Sequence, residues 1–165
     1  MSLEEELVHV LMDKNLTLAT AESCTGGLLG AHLTTVPGVS AVYAGGFITY
    51  TVEQKHAMLG VPMKLLREKG AVAKKTAKAM ALGAAQRTRV DCSLSVTGNA
   101  GPDPSEGKPV GLVYIGCCVD GKAVGRKFMF KGSREEIREQ AVQSALQILL
   151  HKLTGKEDKT IEEAD

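Results

Sequence analysis

Two adjacent side chains that can attack an electrophile, Ser23 and Cys24, stand in the run AESCTGG at residues 21–27, directly before a glycine pair. A tight turn at a strand end would expose either of them. Gly26 and Gly27 would let a substrate approach the backbone, and the first N–H groups of a following helix, around Thr25 to Gly27, would hold an oxyanion or a phosphate. The same residue types also begin ordinary helices, and Ser23 or Thr25 as an N-cap is the commoner use of such a run. The pattern is neither the G-x-S-x-G turn of hydrolases nor a Walker loop.

A serine nucleophile needs a base. The four histidines (His9, His32, His56, His151) are scattered, and none falls in a comparable polar strand end. Lys55 follows the strand expected to end at Tyr50 by about one helical turn, so its side chain can point back toward that end. To work as a base near neutrality it would need a shift of about 3 units from ~10.4, which burial beside a helix N-terminus favours. Read alone, a lysine there is a solvated helix charge. Tyr50 could stack on an aromatic substrate or donate its hydroxyl. A third polar strand end, Thr97-Gly98-Asn99-Ala100-Gly101-Pro102, could add donors. Arg134 and Arg138, one helical turn apart, suit a phosphate or carboxylate, or sit in water beside Glu135 and Glu139. Ligands of α/β sheets bind beyond the carboxyl ends of strands, so the three strand ends make one site only if their strands are parallel and close.

The elements that must position these residues follow from periodicity and punctuation. Residues 3–14 have helical spacing with acids in the first turn, and 16–22 read as a strand running into AESCTGG. A helix is expected from Thr25 to about Thr35, broken by VPGVS. Residues 41–50 read as a strand whose glycine pair marks a bulge or a close backbone neighbour. One or two helical turns at 51–60, ended by Gly60, a short helix at 63–69 and a longer one at 73–88 follow. Residues 92–98 are a strand, and VGLVYIGCCV and AVGRKFMFK flank the hairpin signal Asp120-Gly121-Lys122. A capping box of Ser133 with Glu136 opens a helix over 133–153, and residues 154–165 read as a polar, disordered tail. Alternating strands and helices with one late hairpin predict a single-domain three-layer α/β/α sandwich over residues 1–153, with a mixed, mostly parallel sheet.

Composition narrows the partners. The 165 residues are 44% hydrophobic and 24% charged with net charge +1, the balance of a soluble globular domain without an electrostatic footprint for nucleic acid. The basic stretch 64–75 lacks interleaved aromatics and reads as a solvated face. No apolar run is long enough for a bilayer and the acidic start lacks a signal peptide's basic region, which predicts a cytoplasmic protein with no membrane partner. Cys24, Cys92, Cys117 and Cys118 show no CxxC spacing and read as reduced, buried small hydrophobes, with Cys117 and Cys118 on opposite strand faces; no metal site is expected.

Four separated runs, AESCTGG, GGFITYTVEQKHAMLGV, VTGNAGPDPSEGKPVGLVYIG and GSREEIREQAVQSAL, come in one order and resemble the CinA C-terminal domain family over roughly residues 5–153. The resemblance implies hydrolysis of nicotinamide mononucleotide to nicotinic acid mononucleotide and ammonia, with no cofactor and a small-molecule substrate as partner; a homo-oligomer is left open. By motif, the nucleophile falls on Ser23 and the lysine base on Lys55, with Tyr50 and Thr97 in the same pocket. Substrate contacts are expected from Thr25, Gly26, Gly27, Thr97, Gly98 and Ala100, and from Arg138 in preference to Arg134. The family loop usually reads Ile-Ala-Gly-Pro followed by glycines, whereas here it is Asn99-Ala100-Gly101-Pro102-Asp103-Pro104. Two other readings are a catalytically silent nucleotide-binding or regulatory domain, and a thiol hydrolase using Cys24.

Overall fold

Ser2 caps the first helix, α1 (Leu3–Lys14), in a reciprocal capping box with Glu5, and Leu7, Val8 and Leu11 form its buried stripe. A computed structural model describes residues 1–156. The chain continues through β1 (Leu18–Glu22), α2 (Leu28–Leu33), β2 (Tyr43–Ile48), α3 (Val52–Leu59), α4 (Met63–Lys69), α5 (Lys74–Thr88), β3 (Cys92–Gly98), β4 (Leu112–Val119), β5 (Lys122–Met129) and α6 (Arg134–Thr154). The polar tail expected from residue 154 lies, from 157 onward, outside the described residues; Thr154 itself closes α6. No helix among the described residues is long and apolar enough to cross a membrane.

The five strands form one sheet in the order β2-β1-β3-β4-β5. β1 pairs in parallel with β2 and β3, whereas β4 is antiparallel to both β3 and β5. Only β4 therefore runs against the rest. The β4–β5 connection is the expected hairpin; Lys122 joins β5, leaving a two-residue turn of Asp120 at φ 52 and Gly121 at φ 77, the primed turn that matches strand twist. The glycine-bearing strand β2 carries the expected irregularity, a register shift opposite Leu18/Ala19.

Side-chain alternation sorts the helices into two layers. Leu18, Leu94, Val96, Val113, Ile115 and Cys117 pack with α1, α2 and α6 in the main core. The opposite faces of the strands carry Ala21, Leu112, Tyr114 and Cys118, which pack with residues of α3, α4 and α5. Cys117 and Cys118 thus do face opposite layers. α5 lies so close to the sheet that Ser95 Oγ donates to the Ala77 carbonyl at 2.6 Å, and a Cβ at Gly116 would meet the same carbonyl at 2.3 Å. Small residues on both surfaces permit that approach.

One expected element starts late. The helix foreseen from Thr25 begins only at Leu28, because Gly26 and Gly27 adopt left-handed conformations, φ 57 and φ 107, and hold residues 24–27 in a turn. The capping role falls neither to Ser23 nor to Thr25. Buried Glu22 takes it, accepting N–H bonds from Gly27 at 3.2 Å, Leu29 at 2.8 Å and Gly30 at 3.0 Å. A carboxylate at a helix N-terminus is favoured by the dipole and satisfies its otherwise orphaned amides.

Candidate active site

The parallel register sets the site. Glu22 is level with Ile48 on β2 and with Val96 on β3, so Ser23, Thr49 and Thr97 are the next residues on three adjacent strands. Two ladder bonds extend past the strand ends, Ser23 N–H to the Val96 carbonyl at 2.9 Å and Thr49 N–H to the Glu22 carbonyl at 2.8 Å. The backbone of Ser23 is thereby tied to β3, and the turn that follows it is tied down by Glu22.

Lys55 reaches Ser23 from α3. Thr51 caps that helix through a Gln54 N–H bond at 3.2 Å, which places Lys55 in its first turns. Helical side chains tilt toward the N-terminus, so Lys55 points back at the strand ends. Its Nζ lies 2.9 Å from Ser23 Oγ, 2.7 Å from the Thr49 carbonyl and 3.2 Å from the Tyr50 carbonyl. Lys55 is 0% exposed and Ser23 7%. Burial pushes the Lys55 ammonium down from its ordinary value to about 8. A neutral amine has two N–H groups and one lone pair. The two carbonyls accept the first pair, which leaves the lone pair for the proton of Ser23.

Cys24 has the opposite character. It is part of the main core, and burial pushes its thiol up to about 11. A thiol that stays protonated at neutral pH is a poor nucleophile.

A cleft of about 180 Å³ opens over Ser23 and Cys24 and is lined by Thr97–Ala100, by Ala71 and Val72, by Ser105 and Glu106, and by Tyr50 and Arg134. Tyr50 is 59% exposed, and its hydroxyl accepts from Arg134 Nη2 at 3.2 Å. Arg134 also donates to the Gly101 carbonyl. Thr97 donates its hydroxyl proton to the Ala71 carbonyl at 2.7 Å, joining β3 to the α4–α5 connection.

The model of the family described as the CinA C-terminal domain matches residues 1–153. The chain belongs to the CinA C-terminal domain family. It is 48% identical over 152 residues to a competence-damage inducible protein of Caldicellulosiruptor bescii, covering 92% of this chain and 37% of that protein. A CinA-like protein of Solibacter usitatus is 46% identical over 158 residues, 94% of this chain and 38% of its own. The chain therefore spans less than two fifths of these curated relatives. Solved structures match along their whole length. The competence damage-inducible protein A of Klebsiella pneumoniae superposes with a TM-score of 0.91 at 32% identity, covering 94% of this chain and 97% of that one. The competence/damage inducible protein CihA of Agrobacterium tumefaciens does so with 0.84 at 40% identity, covering 93% and 99%.

In this CinA C-terminal domain the sequence-derived residues divide into three groups. Ser23, Lys55 and the Tyr50 backbone meet at hydrogen-bond distance, and Thr97, Gly98 and Ala100 line the adjoining cleft. Gly26 and Gly27 bring no free amide to it, which corrects the expectation of donors there: Gly26 N–H bonds the Ser23 carbonyl at 3.0 Å and Gly27 N–H bonds Glu22. No oxygen among the described residues accepts from the amides of Cys24 or Thr25.

The two arginines separate, and it is Arg134, not the preferred Arg138, that reaches the cleft. Arg134 lines the cleft, whereas Arg138 grips the turn after Ser23, donating to the carbonyls of Cys24 at 3.0 Å and Thr25 at 2.9 Å. Sequence reasoning passed over two residues, Glu22 and Glu106. A carboxylate at a strand end before a glycine pair and a helix was a readable signal for Glu22. Glu106 sits in a loop with no periodicity to flag it.

Proposed function

We propose that the cleft hydrolyses the carboxamide of nicotinamide mononucleotide, releasing ammonia and nicotinic acid mononucleotide through a serine ester. The observation that carries this reading is the buried Lys55 Nζ, 2.9 Å from Ser23 Oγ and held toward the neutral form by its surroundings. Family membership agrees with it, and so does a cleft lined by one guanidinium, Arg134, able to meet a phosphate.

In the first half-reaction Ser23 Oγ attacks the carboxamide carbon while its proton passes to Lys55 Nζ. The negative charge on the substrate oxygen falls to the amide of Cys24, a residue that lines the cleft and whose N–H meets no acceptor oxygen among the described residues. Collapse breaks the C–N bond, and the Lys55 ammonium returns its proton to the departing nitrogen, giving ammonia. Water then attacks the ester with Lys55 again as base, and Ser23 leaves with the proton restored. Arg138 acts at one remove. By holding the carbonyls of Cys24 and Thr25 against α6 it fixes the turn that carries the Cys24 amide.

Ammonia release from nicotinamide mononucleotide by the purified protein tests the reading, with Ser23→Ala as control. Turnover in the wild type, none in the variant, and a serine ester trapped at Ser23 are the expected results. A wild type that binds the mononucleotide without releasing ammonia would instead favour a silent binding domain.

A further inference from the structure

Among the described residues Glu106 is the one carboxylate lining the cleft, and it occupies a backbone position that does not suit it. Glu106 at φ 56 and Gly107 at φ 69 form the tip of a tight turn closed by Lys108 N–H to the Ser105 carbonyl at 2.8 Å. Such tips favour Asn, Asp or Gly, so the turn itself does not account for a glutamate. The side chain reaches 35 residues back along the chain, where Ala71 N–H donates to Oε2 at 2.8 Å and Val72 N–H donates to Oε1 at 3.1 Å. A Cβ at Gly70 would lie 2.6 Å from the carboxylate, so only a bare backbone admits it there. Desolvation works to raise the Glu106 carboxyl. The bonds from Ala71 and Val72 and the nearby Lys108 outweigh it, holding the group below the usual carboxylate range. Lys108 is 3.5 Å from Oε1, and its ammonium is engaged with the carbonyls of Lys69, at 2.8 Å, and Val72.

The cleft thus presents two opposite fixed charges, Glu106 and Arg134, around one nucleophile. We propose that Glu106 is a specificity-determining residue: its carboxylate is the counter-ion of a positively charged pyridinium ring whose carboxamide is offered to Ser23. This rests on the amidase reading of the Ser23–Lys55 pair and adds the charge state of the substrate to it. The ring of a nicotinamide nucleotide is cationic and its phosphate anionic, which matches a site with Glu106 at one place and Arg134 at another. An uncharged nicotinamide gains no charge pairing from Glu106.

The test separates charge from shape by titrating the protein, followed by NMR, with 1-methylnicotinamide, a cation without a phosphate, and with neutral nicotinamide. The wild type is expected to bind the cation at least about tenfold more tightly, the scale of one partly screened charge pair. Glu106→Gln is expected to bind both with similar affinity, and Glu106→Asp to keep the preference. Equal binding of the two ligands by the wild type overturns the proposal. So does an unchanged preference in Glu106→Gln, or a parallel loss of both ligands in that variant, which would mean only that the turn had moved. Ammonia release without a cation preference would end this proposal and leave the amidase reading standing; a cation preference without ammonia release would do the reverse.

Discussion

Lys55 Nζ lies 2.9 Å from Ser23 Oγ at a point where two backbone carbonyls, those of Thr49 and Tyr50, use up the other two hydrogen-bond directions of a neutral amine. Neither carbonyl can be removed by a side-chain change, so the orientation of the Lys55 amine is written into the path of the chain after β2. With Lys55 lowered to about 8, only about a tenth of the amine is neutral at pH 7. A general base works in its deprotonated form. The value of kcat/KM is therefore expected to rise about tenfold per pH unit below 8 and to level off above it. A profile flat between pH 6 and pH 9 would remove Lys55 from the role of base.

The same burial makes Lys55 a liability to the fold. A fall from 10.5 to about 8 corresponds to ~3 kcal/mol of disfavoured ammonium. Because the folded value is below the unfolded one, the unfolded chain binds the extra proton, and the cost is present in full below pH 8. It fades as pH rises from 8 toward 10.5, where the unfolded lysine also becomes neutral. Lys55→Met should abolish turnover yet be more stable than wild type at pH 7, by about 1–3 kcal/mol once the lost carbonyl contacts are subtracted. Urea unfolding at pH 7 and at pH 10 checks this: the gain should shrink at the higher pH, and a variant less stable at pH 7 would contradict it.

How much of this was legible beforehand depended on the range of each interaction. The helix over 63–69 and the strand over 92–98 were bounded correctly because their apolar spacing and flanking breakers are local. The start of α2 was misplaced by three residues because its cap is Glu22, five to eight residues upstream of the amides it binds, rather than a side chain next to the helix. Arg134 and Arg138 share one face of α6 and carry the same charge. Only the packing of α6 against the Ser23 turn tells them apart, and that is a contact across 113 residues. Glu106 was hidden for the same reason: its partners lie 34 and 35 residues away.

Cys24, next to Ser23, provides a clean control. Its thiol is buried and pushed up to about 11, so alkylating reagents should leave the native protein active at pH 7.5, and Cys24→Ala should keep turnover of the same order as wild type. Ser23→Ala should have none. Rapid inactivation by iodoacetamide, with Cys24→Ala dead and Ser23→Ala alive, would move the chemistry to the thiol.

Arg138 and Arg134 should separate in kinetics as they do in space. Arg138 holds two carbonyls of the Ser23–Gly27 turn and makes no part of the cleft wall, so under the proposed mechanism its removal should loosen the Cys24 amide, which acts only in the transition state. A lysine at 138 can satisfy one carbonyl at a time, and Arg138→Lys is expected to lower kcat roughly 10- to 100-fold with little change in KM, on the scale of one misplaced oxyanion donor. Arg134, on the cleft wall beside Tyr50, should show the opposite pattern: Arg134→Ala is expected to raise KM for the mononucleotide, with a smaller effect on kcat. Steady-state ammonia release from the two variants, together with titration of the product mononucleotide, decides between them. Binding of the product lost with Arg138→Lys and kept with Arg134→Ala would return Arg138 to the substrate and take the oxyanion geometry out of its hands.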